Sequence, residues 1–144
     1  MSRPQPAPRS AFKAWRSFTT RWADNDAYGH VNNTVYYQWF DSAVNNWLIE
    51  RGLLQIGGSD VIALVAETRC TYAAALAFPQ NVDVGLAIAD LGRSSMRYRI
   101  GVFGEGQAQA AAHGEFVHVL VDRQTRRPTE LPPGWRRELE QIQA

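Results

Sequence analysis

The feature that most constrains the fold is one long segment of helical periodicity at residues 33–52. Its apolar side chains recur every three or four residues, and polar side chains occupy the opposite stripe. The apolar set is Tyr36, Phe40, Ala43, Trp47 and Leu48, and the polar set is Gln38, Asp41, Ser42, Asn45 and Asn46. The pattern predicts a helix of about five turns that ends at Gly52. Because so many aromatic residues require burial, we expect the rest of the chain to wrap around this helix.

The remaining segments have strand character. Residues 12–21 precede the helix, and residues 61–72, 80–91, 94–103 and 108–122 follow it. The glycine-rich turn at 104–107 predicts a hairpin between the last two strands, and the tail 132–144 predicts a short helix opened by two prolines. A strand, a long helix and four strands predict an α+β fold in which an antiparallel five-stranded sheet curls around one buried helix.

The strand at 80–91 has two chemically different faces. One face carries Val82, Val84, Leu86 and Ile88, and the other carries the small or polar residues Asp83, Gly85, Ala87 and Ala89. Because small residues leave space, we expect the second face to lie against the helix.

The length and composition predict one domain. A chain of 144 residues that is 45% hydrophobic can bury a core of its own. Residues 1–11 include three prolines, and we expect them to form a flexible arm before a single domain at 12–144. The chain has no apolar run of signal-peptide or membrane-spanning length, and its lone thiol, Cys70, fits a reducing compartment. These features predict a soluble cytoplasmic protein.

The charge balance argues against two classes of partner. The formal net charge is +1, from 15 basic and 14 acidic residues. Without a strong positive field, neither a nucleic acid nor an anionic membrane is expected as a partner. One cysteine and three histidines without ligand spacing also give no recognisable metal motif.

Short polar side chains are concentrated just before the helix, in the segment D-N-D-A-Y-G-H-V-N-N at residues 24–33. The start of a helix leaves about four N–H groups unpaired and carries a partial positive charge, so it stabilises developing negative charge. Asn32 or Asn33 suits the N-cap, and a bend at Gly29 would direct the Asp26 carboxylate to the same point. This arrangement suits acyl transfer. Ordinary turn and cap residues explain the pattern at least equally well.

The segment from Asp24 to Tyr37 resembles the motif of hotdog-fold thioesterases of the 4-hydroxybenzoyl-CoA thioesterase type, and it is also similar to the D-x-D-x-N-x-H-V-N-N stretch of plant acyl-ACP thioesterases. Residues 92–98 and 117–132 resemble further segments of these enzymes, so the resemblance covers most of the chain. It implies a hotdog fold, hydrolysis of an acyl-CoA or acyl-ACP thioester without a metal or organic cofactor, and assembly as a homodimer or homotetramer.

The resemblance also implies roles for individual residues. Asp26 matches the catalytic carboxylate, which acts as a nucleophile or a general base, and the backbone N–H of Asn33 matches the oxyanion donor. His30 matches the catalytic histidine of the plant enzymes, but the 4-hydroxybenzoyl-CoA enzyme has no histidine there, so the role of His30 stays open. Tyr28 stands where the plant motif has a catalytic asparagine, and we expect Tyr28 and Gly29 to contact the substrate.

A second group of residues is expected near the thioester carrier. In the family, the segment that matches Arg93, Ser94 and Ser95 lies near the pantetheine and nucleotide, and a basic side chain suits their phosphates; exposed surface is an equally good interpretation. Arg126 and Arg127 are weaker candidates for the same role. The residues expected to shape the acyl pocket are Tyr36, Trp39, Tyr72 and Phe78.

Other reactive residues favour structural roles. His113 and His118 are five apart on a strand and should face opposite sides of the sheet. Asp24 should hold the loop, and Asp41 is either an exposed acid or a group that supports the site residues without touching the substrate. Cys70 should be an inert buried thiol. The competing functions are a hotdog dehydratase or hydratase, which shares fold and carrier, and a non-catalytic protein that binds acyl thioesters.

Overall fold

The computed structural model describes residues 5–144 of the chain. In chain order the elements are β1 (Ala14–Phe18), α1 (Asn33–Glu50), β2 (Val61–Tyr72), β3 (Val82–Leu91), β4 (Ser95–Gly104), β5 (Ala112–Asp122) and α2 (Pro133–Glu140). The strands form one antiparallel sheet in the order β1-β3-β4-β5-β2. The predicted fold is confirmed: a five-stranded antiparallel sheet packs against one long helix in the hotdog arrangement.

Several elements are shorter than predicted. β1 is shorter than the predicted strand at both ends, and 3₁₀ turns at Arg9–Ala11 and Trp22–Asp24 flank it. β5 begins at Ala112 and not at 108, because the N–H groups of residues 110 and 111 are bonded to Ala7 and Val102 outside the regular ladder. The β4–β5 connection is therefore longer than the predicted four-residue turn. The helix stop is as expected, since α1 ends two residues before Gly52, which has a left-handed φ of +73°.

The core lies between α1 and the inner face of the sheet. All five apolar helix residues predicted to be buried are buried, and so are Val35, Trp39 and Val44. From β3, the side chains that pack in this core are Val82, Val84, Leu86 and Ile88.

The prediction that the small face of β3 lies against the helix was wrong. Gly85 and Ala87 are on the outer face of the sheet, under the ring of Phe12. A Cβ at Gly85 would lie 2.8 Å from Cβ and Cγ of Phe12. The small residues make room for a ring that lies flat on the sheet, while larger side chains fill the space beside the helix.

Phe12 belongs to a second buried group, the outer cluster, formed by Phe12, Ala87, Phe103 and Ala110. Arg9 lies over it: its guanidinium is 2.8 Å from Oδ2 of Asp83 and 4.9 Å from the centroid of the Phe103 ring. The part of the predicted arm at residues 7–11 thus contacts the sheet, while residues 1–4 lie outside the described residues.

The two ends of the sheet differ in what surrounds them. We call the end of the sheet that lies beside the start of α1 the site end; it comprises the ends of β2 and β4 and the starts of β3 and β5. The far end comprises the opposite termini of these strands. The start of α1 lies at the site end, because Val31 N–H donates to the carbonyl of Leu76 at 2.7 Å and the Tyr72 hydroxyl donates to the carbonyl of Asn33 at 3.1 Å. None of the helices within residues 5–144 is long and apolar enough to cross a membrane.

Candidate active site

A tight loop positions Asp26 before the helix. The N–H of Asp26 donates to the carbonyl of His30 at 2.9 Å, and the N–H of Gly29 donates to the carbonyl of Asp26 at 3.1 Å. Gly29 has a φ of +79°, a left-handed conformation that glycine adopts without steric cost. Oδ1 of Asp26 accepts the N–H of Tyr28 at 2.8 Å, which orients the carboxylate. The bend expected at Gly29 is therefore present.

Asp24 and Asn25 hold this loop in place. The Asp24 carboxylate is buried and accepts hydrogen bonds from the backbone N–H and the guanidinium of Arg21 at 2.7–2.9 Å. The carbonyl of Asp24 accepts the N–H of Asn32 at 2.8 Å, and Oδ1 of Asn25 accepts the N–H of Phe78 at 3.0 Å. As predicted, Asp24 is part of the scaffold of the loop.

The start of α1 is capped by Asn32, whose Oδ1 accepts the N–H of Thr34 at 3.0 Å. Asn33 is the first helical residue, and no group within residues 5–144 accepts a hydrogen bond from its N–H. This N–H is among those that the geometry of a helix leaves without an internal partner. The positive end of the helix dipole adds to its attraction for an anion.

Asp26, His30 and Asn33 line one cavity of about 350 Å³ at the site end. Its other walls are Val31, Tyr36, Tyr72 and the three alanines at 73–75. The structure thus brings together the three residues that the resemblance gave as catalytic. Val31 and the alanines were not among the predicted site residues, although a run of small residues directly after a strand indicates that the backbone passes close to another group.

Asp26 is the acidic side chain of the cavity, and the hydroxyls beside it remain neutral. Burial raises the pKa of Tyr36 to about 12 and also raises that of Tyr72. Cys70, two residues before Tyr72 on β2, is partly buried and not fully buried as predicted. Burial raises its pKa to about 11, which supports the prediction of an inert thiol. The cavity therefore combines a carboxylate, an imidazole and a helix N-terminus between apolar walls.

Several predicted residues lie elsewhere. Tyr28 is 85% exposed on the outside of the loop, and neither it nor Gly29 lines the cavity. Trp39 is buried in the core, and Phe78 packs against Trp22 with ring centroids 6.0 Å apart; neither is a wall of the cavity.

Arg93, Ser94 and Ser95 lie at the far end of the sheet. The carbonyl of Arg93 accepts the N–H of Leu131 at 2.9 Å, and that of Ser94 accepts the N–H of Leu120 at 2.7 Å. β4 runs for 10 residues from Ser95 to the site end, and at about 3.3 Å per residue its length is roughly 30 Å. Within one chain these residues are not brought to Asp26. Arg126 and Arg127 are exposed just beyond the far end of β5.

The two strand histidines face opposite sides of the sheet, as predicted. His118 is buried on the inner face beside Phe116, and burial lowers its pKa to about 4. His113 is on the outer face, opposite Gly101 of β4. Within the described part of the chain, no three His, Cys, Asp or Glu residues are grouped to hold a metal ion.

Comparison with known families adds a separate line of evidence. The sequence profile of the thioesterase-like superfamily matches residues 20–139, which is most of the chain and includes the whole site. The chain belongs to the thioesterase-like superfamily. Membership supports a thioester hydrolase as the class of enzyme. No curated protein matches this thioesterase-like chain.

Solved structures agree with this thioesterase-like fold. The PA5185 protein of Pseudomonas aeruginosa strain PAO1 is 48% identical over 98% of both chains, with a TM-score of 0.93. The PA2801 protein of Pseudomonas aeruginosa is 28% identical over 85% of this chain and 95% of its own, with a TM-score of 0.78. Slr0204 from Synechocystis, a 1,4-dihydroxy-2-naphthoyl-CoA thioesterase, is 20% identical over 87% of this chain and 93% of its own, with a TM-score of 0.78. At this last identity the likeness concerns the fold alone.

Proposed function

We propose that this protein hydrolyses an acyl-CoA thioester to a free carboxylic acid and CoA, with Asp26 as general base or nucleophile. The observation that carries the proposal is that the Asp26 carboxylate and the start of α1 line the same cavity. A thioester carbonyl placed there would meet a base on one side and an N–H donor on the other, which is the pairing that acyl transfer requires.

In the general-base route, Asp26 takes a proton from water while the water oxygen attacks the thioester carbon. The carbonyl oxygen becomes an oxyanion, and the Asn33 N–H with the helix dipole stabilises it. The C–S bond then breaks, and the thiolate leaves with the proton. In the nucleophilic route, an Asp26 oxygen attacks the thioester carbon, the C–S bond breaks, and the CoA thiolate leaves behind a mixed anhydride. Water then hydrolyses the anhydride, which releases the acid, regenerates the Asp26 carboxylate and provides the proton that the thiolate takes up. His30 lines the same cavity and can donate a hydrogen bond to the leaving sulfur or to the substrate.

We also propose that the carrier binds at the interface of a homodimer. Two such dimers can associate into a homotetramer. β2 is an edge strand, and its exposed apolar residues Leu64 and Val65 fit pairing with a second copy. In an antiparallel β2–β2 pair, the far end of one sheet meets the site end of the other. From this chain's β2, the partner's β2, β5 and β4 follow in that order, so three strand spacings of about 4.8 Å would place Arg93 of the partner subunit roughly 14 Å to the side of this chain's Tyr72. Arg93, Ser94 and Ser95 would so reach the phosphates and pantetheine of a carrier bound at the partner's cavity.

The test is the release of free thiol from short, medium, long and aromatic acyl-CoAs by the native protein and by Asp26→Asn. We expect the variant to lose at least about 100-fold in kcat. Asp41→Asn is the matched control, because Asp41 is an exposed acid on α1 that does not line the cavity. A no-substrate blank accounts for any reaction of Cys70 with the thiol reagent.

Three results would contradict the proposal. Full activity in Asp26→Asn would remove the carboxylate from the mechanism. No thiol release from any acyl-CoA, with release from acyl-carrier-protein thioesters, would change the carrier. Binding of acyl-CoA without turnover of either substrate would favour the non-catalytic alternative.

A further inference from the structure

The last residue of β2 is bonded to the first residue of α1. The hydroxyl of Tyr72 donates to the carbonyl oxygen of Asn33 at 3.1 Å. The Tyr72 ring also packs edge-on against Tyr36, with ring centroids 5.0 Å apart and planes at 89°. Tyr36 lies three residues after Asn33, on the same side of the first helical turn. One side chain of the sheet thus contacts the helix at two points, its first residue and the end of its first turn.

Besides the Asn32 cap, two bonds to backbone groups of neighbouring loops hold the start of α1. The N–H of Val31 donates to Leu76, and the N–H of Asn32 donates to Asp24. Both bonds hold the residues before the helix. Within residues 5–144, Tyr72 is the one strand side chain that hydrogen-bonds to Asn33. Its ring is also a wall of the cavity that contains Asp26.

We infer that Tyr72 is a positioning residue for thioester hydrolysis: its O–H···O=C bond fixes Asn33 relative to the sheet, so that the Asn33 N–H points at the developing oxyanion. The inference rests on the proposed function. An oxyanion donor is effective because it is held in place before the reaction, and a displacement of about 1 Å can cost on the order of 100-fold in rate. The Tyr72 hydroxyl remains a donor through the neutral and mildly alkaline range, since burial raises its pKa.

The decisive variant is Tyr72→Phe, which keeps the ring and its contact with Tyr36 and removes only the hydroxyl. We expect kcat for acyl-CoA hydrolysis to fall about 10-fold while KM changes less than about 2-fold, because the loss concerns the transition state and not substrate binding. Tyr37→Phe is the matched control: Tyr37 is a half-buried helix residue whose hydroxyl bonds to no group in the described chain, so both constants should stay within about 2-fold of native.

A second measurement does not depend on turnover. The carbonyl of Asn33 shares its peptide group with the N–H of Thr34, so Tyr72→Phe should shift the ¹H–¹⁵N resonances of Asn33 and Thr34, and Tyr37→Phe should not. Unchanged resonances, or native kcat in an active Tyr72→Phe protein, would overturn the inference. A rise in KM with unchanged kcat would also overturn it, since the hydroxyl would then bind substrate. Failure of the proposed function looks different, because the native protein itself would release no thiol.

Discussion

The outer cluster leaves no space for a side chain at Gly101 of β4. A Cβ added there would lie 2.5 Å from Cζ and 2.7 Å from Cε2 of Phe12. Phe12 is 5% exposed and cannot move away without uncovering its ring. We therefore expect Gly101→Ala to lower the free energy of unfolding by about 1–3 kcal/mol, the usual cost of overpacking a core.

A double-mutant cycle with Phe12→Ala tests the cause of this loss. Phe12→Ala alone should cost about 3–5 kcal/mol, because it empties a buried ring site. In that background the closest atoms of the ring are gone and the new methyl group meets Cε1 of Phe103 at 3.0 Å, a contact that a small shift of that ring relieves, so Gly101→Ala should cost less than about 1 kcal/mol. The two substitutions should therefore be less than additive, by about 1–2 kcal/mol.

Urea unfolding of the four proteins at one protein concentration measures these values, since self-association would otherwise change the apparent stability. Gly134→Ala is the matched control: a Cβ at Gly134 meets nothing within 4 Å, so the substitution should stabilise the protein by about 0.4–1 kcal/mol. If Gly101→Ala cost the same with and without the Phe12 ring, the packing of this part of the N-terminal segment on the sheet would be refuted.

Three further predictions concern pH, capping and carrier binding. Burial lowers the pKa of His118 from 6.5 to about 4, so between these pH values the unfolded chain takes up a proton that the folded chain does not. The free energy of unfolding should therefore fall as the pH falls through this window, by roughly 3 kcal/mol at pH 4. Urea unfolding at pH 7 and pH 4 should show a smaller fall for His118→Leu than for the native protein. Asn32→Ala should lower the free energy of unfolding by about 1 kcal/mol, whereas Asn32→Asp should retain most of it, because Asp also accepts the Thr34 N–H; equal urea midpoints for the two variants would contradict the cap. Arg93→Ala should raise KM for acyl-CoA several-fold without raising it for an acyl thioester of N-acetylcysteamine, which has no phosphate; Arg137→Ala, an exposed arginine of α2, should raise neither, and equal effects of Arg93→Ala on both substrates would remove the phosphate contact.

The fold was predictable because its main signals are local. The periodicity of residues 33–52 gave the helix, and the alternation of the later segments gave the strands, since each pattern depends only on neighbouring residues. The faces of β3 were assigned incorrectly for a related reason. Alternation shows that the two faces of a strand differ, but both faces of β3 are covered, one by α1 and the other by Phe12. Whether a given face of β3 packs against α1 or against Phe12 depends on how segments that are distant in sequence come together.

The candidate site likewise combines residues that are close in sequence, which were predictable, with residues that are distant in sequence, which were not. Asp26, His30 and Asn33 lie within eight residues of one another, so a tight loop and a helix start were sufficient to bring them to one cavity. Tyr72 joins them through the position of the β2 terminus, which sequence spacing does not specify. Arg93 directly precedes β4 at the far end of the sheet, whereas Asp26 lines the cavity at the site end, so the length of β4 separates the two residues in this fold. A contact between Arg93 and the substrate of this cavity therefore requires a second subunit, so under the proposed function a monomeric variant should lose carrier binding even though its own Asp26 and Asn33 remain in place.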